Sequence, residues 1–128
     1  MKFFCDNNIS HKIAKALSVL AQPIDEVIHL TDKFPENTVD EEWISKIKDE
    51  GYAIISGDPK IAKRPHQKEV LVNSKLTVFF LARGWMNLNF WNQASGLIKI
   101  FPEIRRLTKE NPTKAIFEIT KGGQVIKK

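Results

Sequence analysis

The sequence predicts an α/β fold of the doubly wound kind, one domain over residues 1–128 with a central, mainly parallel sheet flanked by helices. Three observations predict it. Short apolar runs at Lys2–Cys5, Ile24–Leu30, Tyr52–Ser56, Leu76–Ala82 and Ala115–Ile119 have strand character. Stretches with apolar residues at helical spacing separate them. Two of the runs end on an aspartate, Cys5-Asp6 and Ser56-Gly57-Asp58, at the strand end where open α/β sheets place their ligands.

Taken in order, Lys2–Cys5 is the first strand, with Cys5 expected to be buried like most lone cysteines. Asn7-Asn8 opens a helix whose apolar positions are Ile9, Ile13, Ala16, Leu17 and Leu20. After Gln22-Pro23 the second strand begins, and Asp25 and Glu26 fall at its start, away from Asp6, where solvated charges are expected. The polar loop Thr31–Asn37 leaves the edge that holds Asp6, so its Asp32 stays in consideration.

Thr38 followed by Glu41 is a capping-box pattern for the next helix. Within its acidic first turn, Asp40 shares a stripe with Ile44 and Ile47, Glu42 points away toward Lys46, and Glu41 is intermediate. A helix joining parallel strands starts at the sheet's C-terminal edge, which carries Asp40 and Glu41 toward Asp6 and Asp58. Gly51 ends the helix as a left-handed cap.

Lys60, Lys63, Arg64, His66 and Lys68 then form a basic segment broken by Pro59 and Pro65. It reads either as a solvated loop and short helix or as a phosphate-binding rim beside the acids. Leu76–Ala82 is apolar throughout, as a strand covered on both faces should be. A long helix over about Leu88–Leu107 presents Phe90, Trp91, Ala94, Leu97, Ile98, Phe101, Ile104 and Leu107, with Pro102 kinking or dividing it. Trp43 and Trp91 are expected in the core. Gly122-Gly123 turns the last long strand into an edge hairpin through Val125-Ile126.

Composition excludes several classes. With 42% hydrophobic and 27% charged residues the chain is neither disordered nor fibrous. One cysteine excludes a disulfide framework, and the three histidines lack ligand spacing. No secretory leader pattern and no apolar run of spanning length is present, so a cytoplasmic location without membrane contact is expected. A net charge of +5 suits a polyanion partner without specifying one. Glycine-lysine phosphate loops, dinucleotide glycine fingerprints and serine nucleophile elbows are absent.

What remains is a convergence of Asp6, Asp40, Glu41 and Asp58. Two like charges 4 Å apart repel by about 4 kcal/mol at an effective dielectric near 20. A cation relieves that cost, and an all-oxygen donor set selects Mg²⁺ or Mn²⁺. Such ions activate water and steady a phosphoryl transition state, so a metal-dependent phosphodiesterase acting on nucleic acid is the expected function.

The residues also resemble a known family. Phe3-Phe4-Cys5-Asp6-Asn7-Asn8, Asp40-Glu41-Glu42-Trp43-Ile44 and Ile54-Ile55-Ser56-Gly57-Asp58-Pro59-Lys60-Ile61 are similar to motifs of small bacterial PIN-like proteins. Lys63-Arg64-Pro65 with Glu69, Phe79-Phe80-Leu81-Ala82, Asn87-Leu88 and Trp91 resemble the PIN-like toxins related to VapC. The resemblance implies a PIN-like fold and a metal-dependent endoribonuclease toxin, paired with an antitoxin and often a homodimer. It implies Asp6, Asp40 or Glu41, and Asp58 as metal carboxylates, with Asn87 in a fourth position. Asn8, Lys63, Arg64 and Arg83 are the expected RNA contacts. Asn7 departs from the pattern, standing where an acid is common, and Asn87 is neutral.

Two other readings compete. A PIN-like module that binds RNA or protein without cutting keeps the same fold. A receiver domain also carries acids after its first and third strands, but it expects an acid pair, a Ser or Thr, and a Lys-Pro where this chain has Cys5-Asp6, Ala82-Arg83 and Lys121-Gly122.

Overall fold

A computed structural model describes residues 1–128. Strands β1 (Lys2–Cys5), β2 (Glu26–His29), β3 (Tyr52–Ser56), β4 (Val78–Leu81) and β5 (Ile116–Ile119) run parallel, and β6 (Val125–Lys127) returns antiparallel beside β5. The strand order is β2-β1-β3-β4-β5-β6. β1 therefore lies between β2 and β3, and the winding reverses there. The loops after β1 and β3 diverge at that switch point and leave a crevice between them.

Helices α1 (His11–Ala21) and α4 (Phe90–Glu110) cover one face, α2 (Asp40–Ile47) and α3 (Pro65–Ser74) the other. Strand alternation sorts the side chains between the layers. Phe3, Cys5, Ala53, Ile55, Phe79 and Leu81 meet Ile13, Leu17, Leu97 and Ile104. Phe4, Ile54, Val78 and Phe80 meet Trp43, Ile44, Ile47 and Leu71. Each such buried side chain contributes about 1.5–3 kcal/mol, so packing outweighs any local helix propensity. No helix is long and apolar enough to cross a membrane.

Several local expectations are corrected. α1 starts at His11, because Ser10 is its N-cap and accepts from Lys12 N at 3.2 Å. Its buried face is Ile13, Ala14 and Leu17, while Leu20 is 64% exposed. Asp25 is buried rather than solvated: the N-terminal amine (2.9 Å) and Arg105 Nε (2.6 Å) both donate to it. The Thr38 capping box does not form, because Thr38 Oγ1 donates to Pro35 O at 2.7 Å and α2 begins two residues later. Asp49 and Glu50 lie beyond the helix, though Gly51 does take a left-handed φ of 81°.

α4 continues through Pro102 without a break. Pro102 and Ile98 are exposed, so the helical hydrogen bond that Pro102 cannot donate to the Ile98 carbonyl is missing on the outer side of the helix. Trp91 is 77% exposed, and Phe90 and Ile98 are also exposed. The buried row of α4 keeps the expected Ala94, Leu97 and Ile104 and adds Thr108, with Phe101 and Leu107 partly buried against the same layer. Trp85 is the buried tryptophan of this region, in a short 3-10 turn after β4, with Nε1 donating to Ile119 O at 3.1 Å and Thr120 O at 2.9 Å.

Candidate active site

The register places Asp6 beside Ser56. Cys5 pairs with Ile55, so the next residues of β1 and β3 are neighbours, and Asp6 N still donates to Ile55 O at 3.1 Å. The Asp6 carboxylate, 3% exposed, then accepts three hydrogen bonds: from the Ser56 hydroxyl, from Gly57 N at 3.1 Å and from Asn8 N at 3.1 Å. Glycine is required at position 57, since a Cβ there would lie 2.8 Å from the Asn8 backbone. Three donors leave a carboxylate capacity for one further partner.

Asp58 follows two residues later. Its own amide donates to Ser56 Oγ at 3.0 Å, while its carboxylate accepts from Lys60 N at 2.9 Å and Arg64 Nη1 at 2.6 Å. Asp40, at the first position of α2, accepts from Trp43 Nε1 and from Gln67 Nε2, both at 3.0 Å. Trp43 is buried in the sheet-facing layer, so its indole fixes Asp40 on the inner side of the helix start. Glu41 lies 3.7 Å from His66 Nε2. Glu42 is turned outward onto Lys46 at 3.3 Å.

Asp6, Asn8, Asp40, Glu41 and Asp58 line one cleft of about 370 Å³ with Asn7, Glu36, Asn37, Thr38 and Gln67. Its electrostatics are those of crowded anions. Burial, opposed by its hydrogen bonds and helped by the Asp40 charge, raises the Asp6 carboxyl from 3.8 to about 6. Burial, with the Asp58 and Glu41 charges, also raises Asp40 above the ordinary carboxylate range. The donor chemistry suits a hard divalent cation. As the side chains stand, however, no three acidic or imidazole groups converge closely enough to chelate one ion, and Asp6, Asp40 and Asp58 are each turned onto a protein donor.

Other expected site residues lie elsewhere. Asn87 sits exposed in the 3-10 turn after β4 and does not line the cleft, because that turn packs by Trp85 against the end of β5. Lys63 and Arg83 are exposed and off the cleft wall. Arg64 reaches the rim through Asp58. Asp32 belongs to a separate arrangement: it accepts from His29 N at 2.8 Å, caps the 3-10 turn Leu30–Asp32 and meets His11 Nε2 at 3.0 Å. Sequence reasoning missed Ser56, Gly57 and Gln67. The β1–β3 register implies the first two, whereas nothing local marks Gln67.

Among known families, one described as a PIN like domain matches residues 1–83. That span includes every acid of the cleft and ends before Asn87 and α4. No curated protein and no solved structure matches the chain. The matched span is about two thirds of the sequence and coincides with the part of the fold that builds the cleft, and the chain belongs to the PIN-like domain family.

Proposed function

We propose that the cleft is the active site of a Mg²⁺- or Mn²⁺-dependent endoribonuclease, the toxin of a toxin–antitoxin pair. The observation that carries this reading is the meeting of Asp6, Asp40, Glu41 and Asp58 in one cleft of a PIN-like domain, at the sheet edge where such folds bind ligands. Those four residues would hold the ion. When bound, it would supply activation of water and neutralisation of charge developing on the scissile phosphate.

The chain's own groups do the rest. Asp6 ties the ends of β1 and β3 together through Gly57 N and Asn8 N, which fixes the floor of the cleft. Trp43 holds Asp40 inward. Arg64 brings a guanidinium to the rim, where it can take a phosphate bidentately. Asn8 lines the cleft, and Lys63 and Arg83 add positive charge outside it, suited to the RNA backbone.

The toxin assignment, with a cognate antitoxin and a homodimer as expected partners and the cytoplasm as its location, rests on the resemblance to VapC-related toxins. The closed state of the carboxylates favours a second reading, a PIN-like module that binds RNA or protein without cutting it. RNA incubated with the protein in Mg²⁺ or Mn²⁺, and in chelator, separates the two. Cleavage that needs the ion and is lost in Asp58→Asn supports the nuclease. Retained RNA binding without cleavage in any ion supports the module.

A further inference from the structure

The first turn of α3 reaches over the cleft and takes hold of its acids. Arg64, at the N-cap, donates from Nη1 to Asp58 Oδ2 (2.6 Å) and to Gln67 Oε1 (2.8 Å). Gln67 passes the contact on, donating from Nε2 to Asp40 Oδ2 (3.0 Å). His66 stands 3.7 Å from Glu41. One helical turn thus engages Asp40, Glu41 and Asp58, while the buried Asp6 is held by the Ser56 hydroxyl and the loop amides of Asn8 and Gly57.

Two further observations bear on what these contacts are for. The cleft gathers five carboxylates, Glu36 among them, and Arg64 offers them a single fixed positive charge. A divalent ion offers two in a smaller volume, so the guanidinium is an incomplete substitute for it. α3 is also lightly anchored. Leu71 is its one buried residue in ten, whereas α2 buries Trp43, Ile44 and Ile47 in eight. Lifting the first turn of α3 uncovers little apolar surface, and segments of that kind open locally at low cost. The Arg64–Asp58 pair adds little resistance, since the Arg64 side chain is 48% exposed.

We propose that the first turn of α3 is a clasp: Arg64 serves as the counter-ion of the metal-free cleft, gives up Asp58 when a divalent ion binds, and is thereby released to a phosphate of the RNA. Gln67 is the positioning residue that links Asp40 to this exchange. The inference rests on the reading of the cleft as a metal site. It gives Arg64 two successive partners, a carboxylate and then a phosphate, and makes acid-site loading and RNA capture a single event.

Titration of the intact protein with Mn²⁺ alone, followed by calorimetry, tests it without any reaction. Arg64→Met keeps the apolar stem and removes the charge, and it should bind Mn²⁺ roughly fivefold more tightly than wild type, the worth of a half-exposed ion pair. In wild type, Mn²⁺ should speed hydrogen exchange at the Lys68 amide, which donates to Arg64 O at 2.8 Å. Gln67→Met removes the link to Asp40 and the Arg64 Nη1 contact to Gln67 while leaving the Arg64–Asp58 pair, and it should tighten Mn²⁺ binding in the same direction, which keeps the test open should Arg64→Met fail to fold. Unchanged or weaker affinity in the variants, with wild type binding normally, overturns the clasp and leaves the metal site standing. Absence of Mn²⁺ binding in wild type and variants alike overturns both.

Discussion

Replacing Asp6 by asparagine should make the protein more stable at alkaline pH and leave it unchanged below about pH 3.8, where the carboxyl is protonated folded or unfolded. The carboxyl is 3% exposed, and burial is the largest cause of its rise from 3.8 to about 6. Between those values the folded chain holds a proton that the unfolded chain has lost, so stability falls as pH rises through the window. Two units at about 1.4 kcal/mol each make the ionised form costly by on the order of 3 kcal/mol above pH 6. Asparagine fits the same contacts: its Oδ1 can accept from Gly57 N and Asn8 N, and its amide can face Ser56 Oγ. Thermal unfolding by circular dichroism in chelator, at pH 3 and pH 8, reads the difference. The expected result is equal Tm at pH 3 and a rise of about 10 °C for Asp6→Asn at pH 8. A fall in Tm at pH 8 refutes the reasoning. It would make the charged carboxylate the staple that joins the β1 and β3 ends.

Gly96→Ala in α4 should destabilise although glycine-to-alanine in a helix normally gains about 1 kcal/mol. The new methyl meets the Trp85 ring at 2.8 Å, the indole is anchored by two carbonyls, and such overpacking costs about 1–3 kcal/mol, which urea denaturation would measure. Asp25→Asn should lower stability at pH 7 by about 1–3 kcal/mol. Burial alone would raise the Asp25 carboxyl, but the N-terminal amine and Arg105 hold it below the usual range, so its contribution is present above pH 4 and lost only as pH falls below that. Equal stabilities at pH 7 would leave that buried pairing without consequence. Lys63→Ala should weaken RNA binding and lower its salt slope by about one, since Lys63 is an exposed charge beside Arg64. Anisotropy titrations at several salt concentrations would show it, and an unchanged slope would return Lys63 to a solvated loop.

The sheet was legible because its signals are local. Phe3-Phe4-Cys5 and Tyr52–Ser56 are short apolar runs that end on turn residues, and their parallel pairing alone carries Asp6 and Asp58 to one edge. The side of α2 that faces the cleft was legible for the same reason, since Ile44 and Ile47 mark the buried stripe and Asp40 lies on it. The misreadings involve partners distant in sequence or ends of elements. Asp25 looks solvated until the chain's own amine and Arg105, 80 residues on, are brought to it. Periodicity identifies which face of a helix is apolar and not how far the neighbouring layer extends, so Leu20 and Trp91 run out into solvent. Gln67 is a neutral amide with no motif around it, and only the packing of α3 beside α2 reveals that it bridges Asp40 and Arg64.

The most direct test of the acid cleft compares two acids of one helical turn. Asp40 is half-buried, held inward by Trp43 and lining the cleft, whereas Glu42 is exposed on Lys46 outside it. RNA cleavage at saturating Mn²⁺ should fall by about 100-fold or more for Asp40→Asn, about 2.7 kcal/mol of transition-state stabilisation, and by less than about threefold for Glu42→Gln. The reverse ranking, or equal and negligible effects, would contradict a catalytic cleft built from Asp6, Asp40, Glu41 and Asp58.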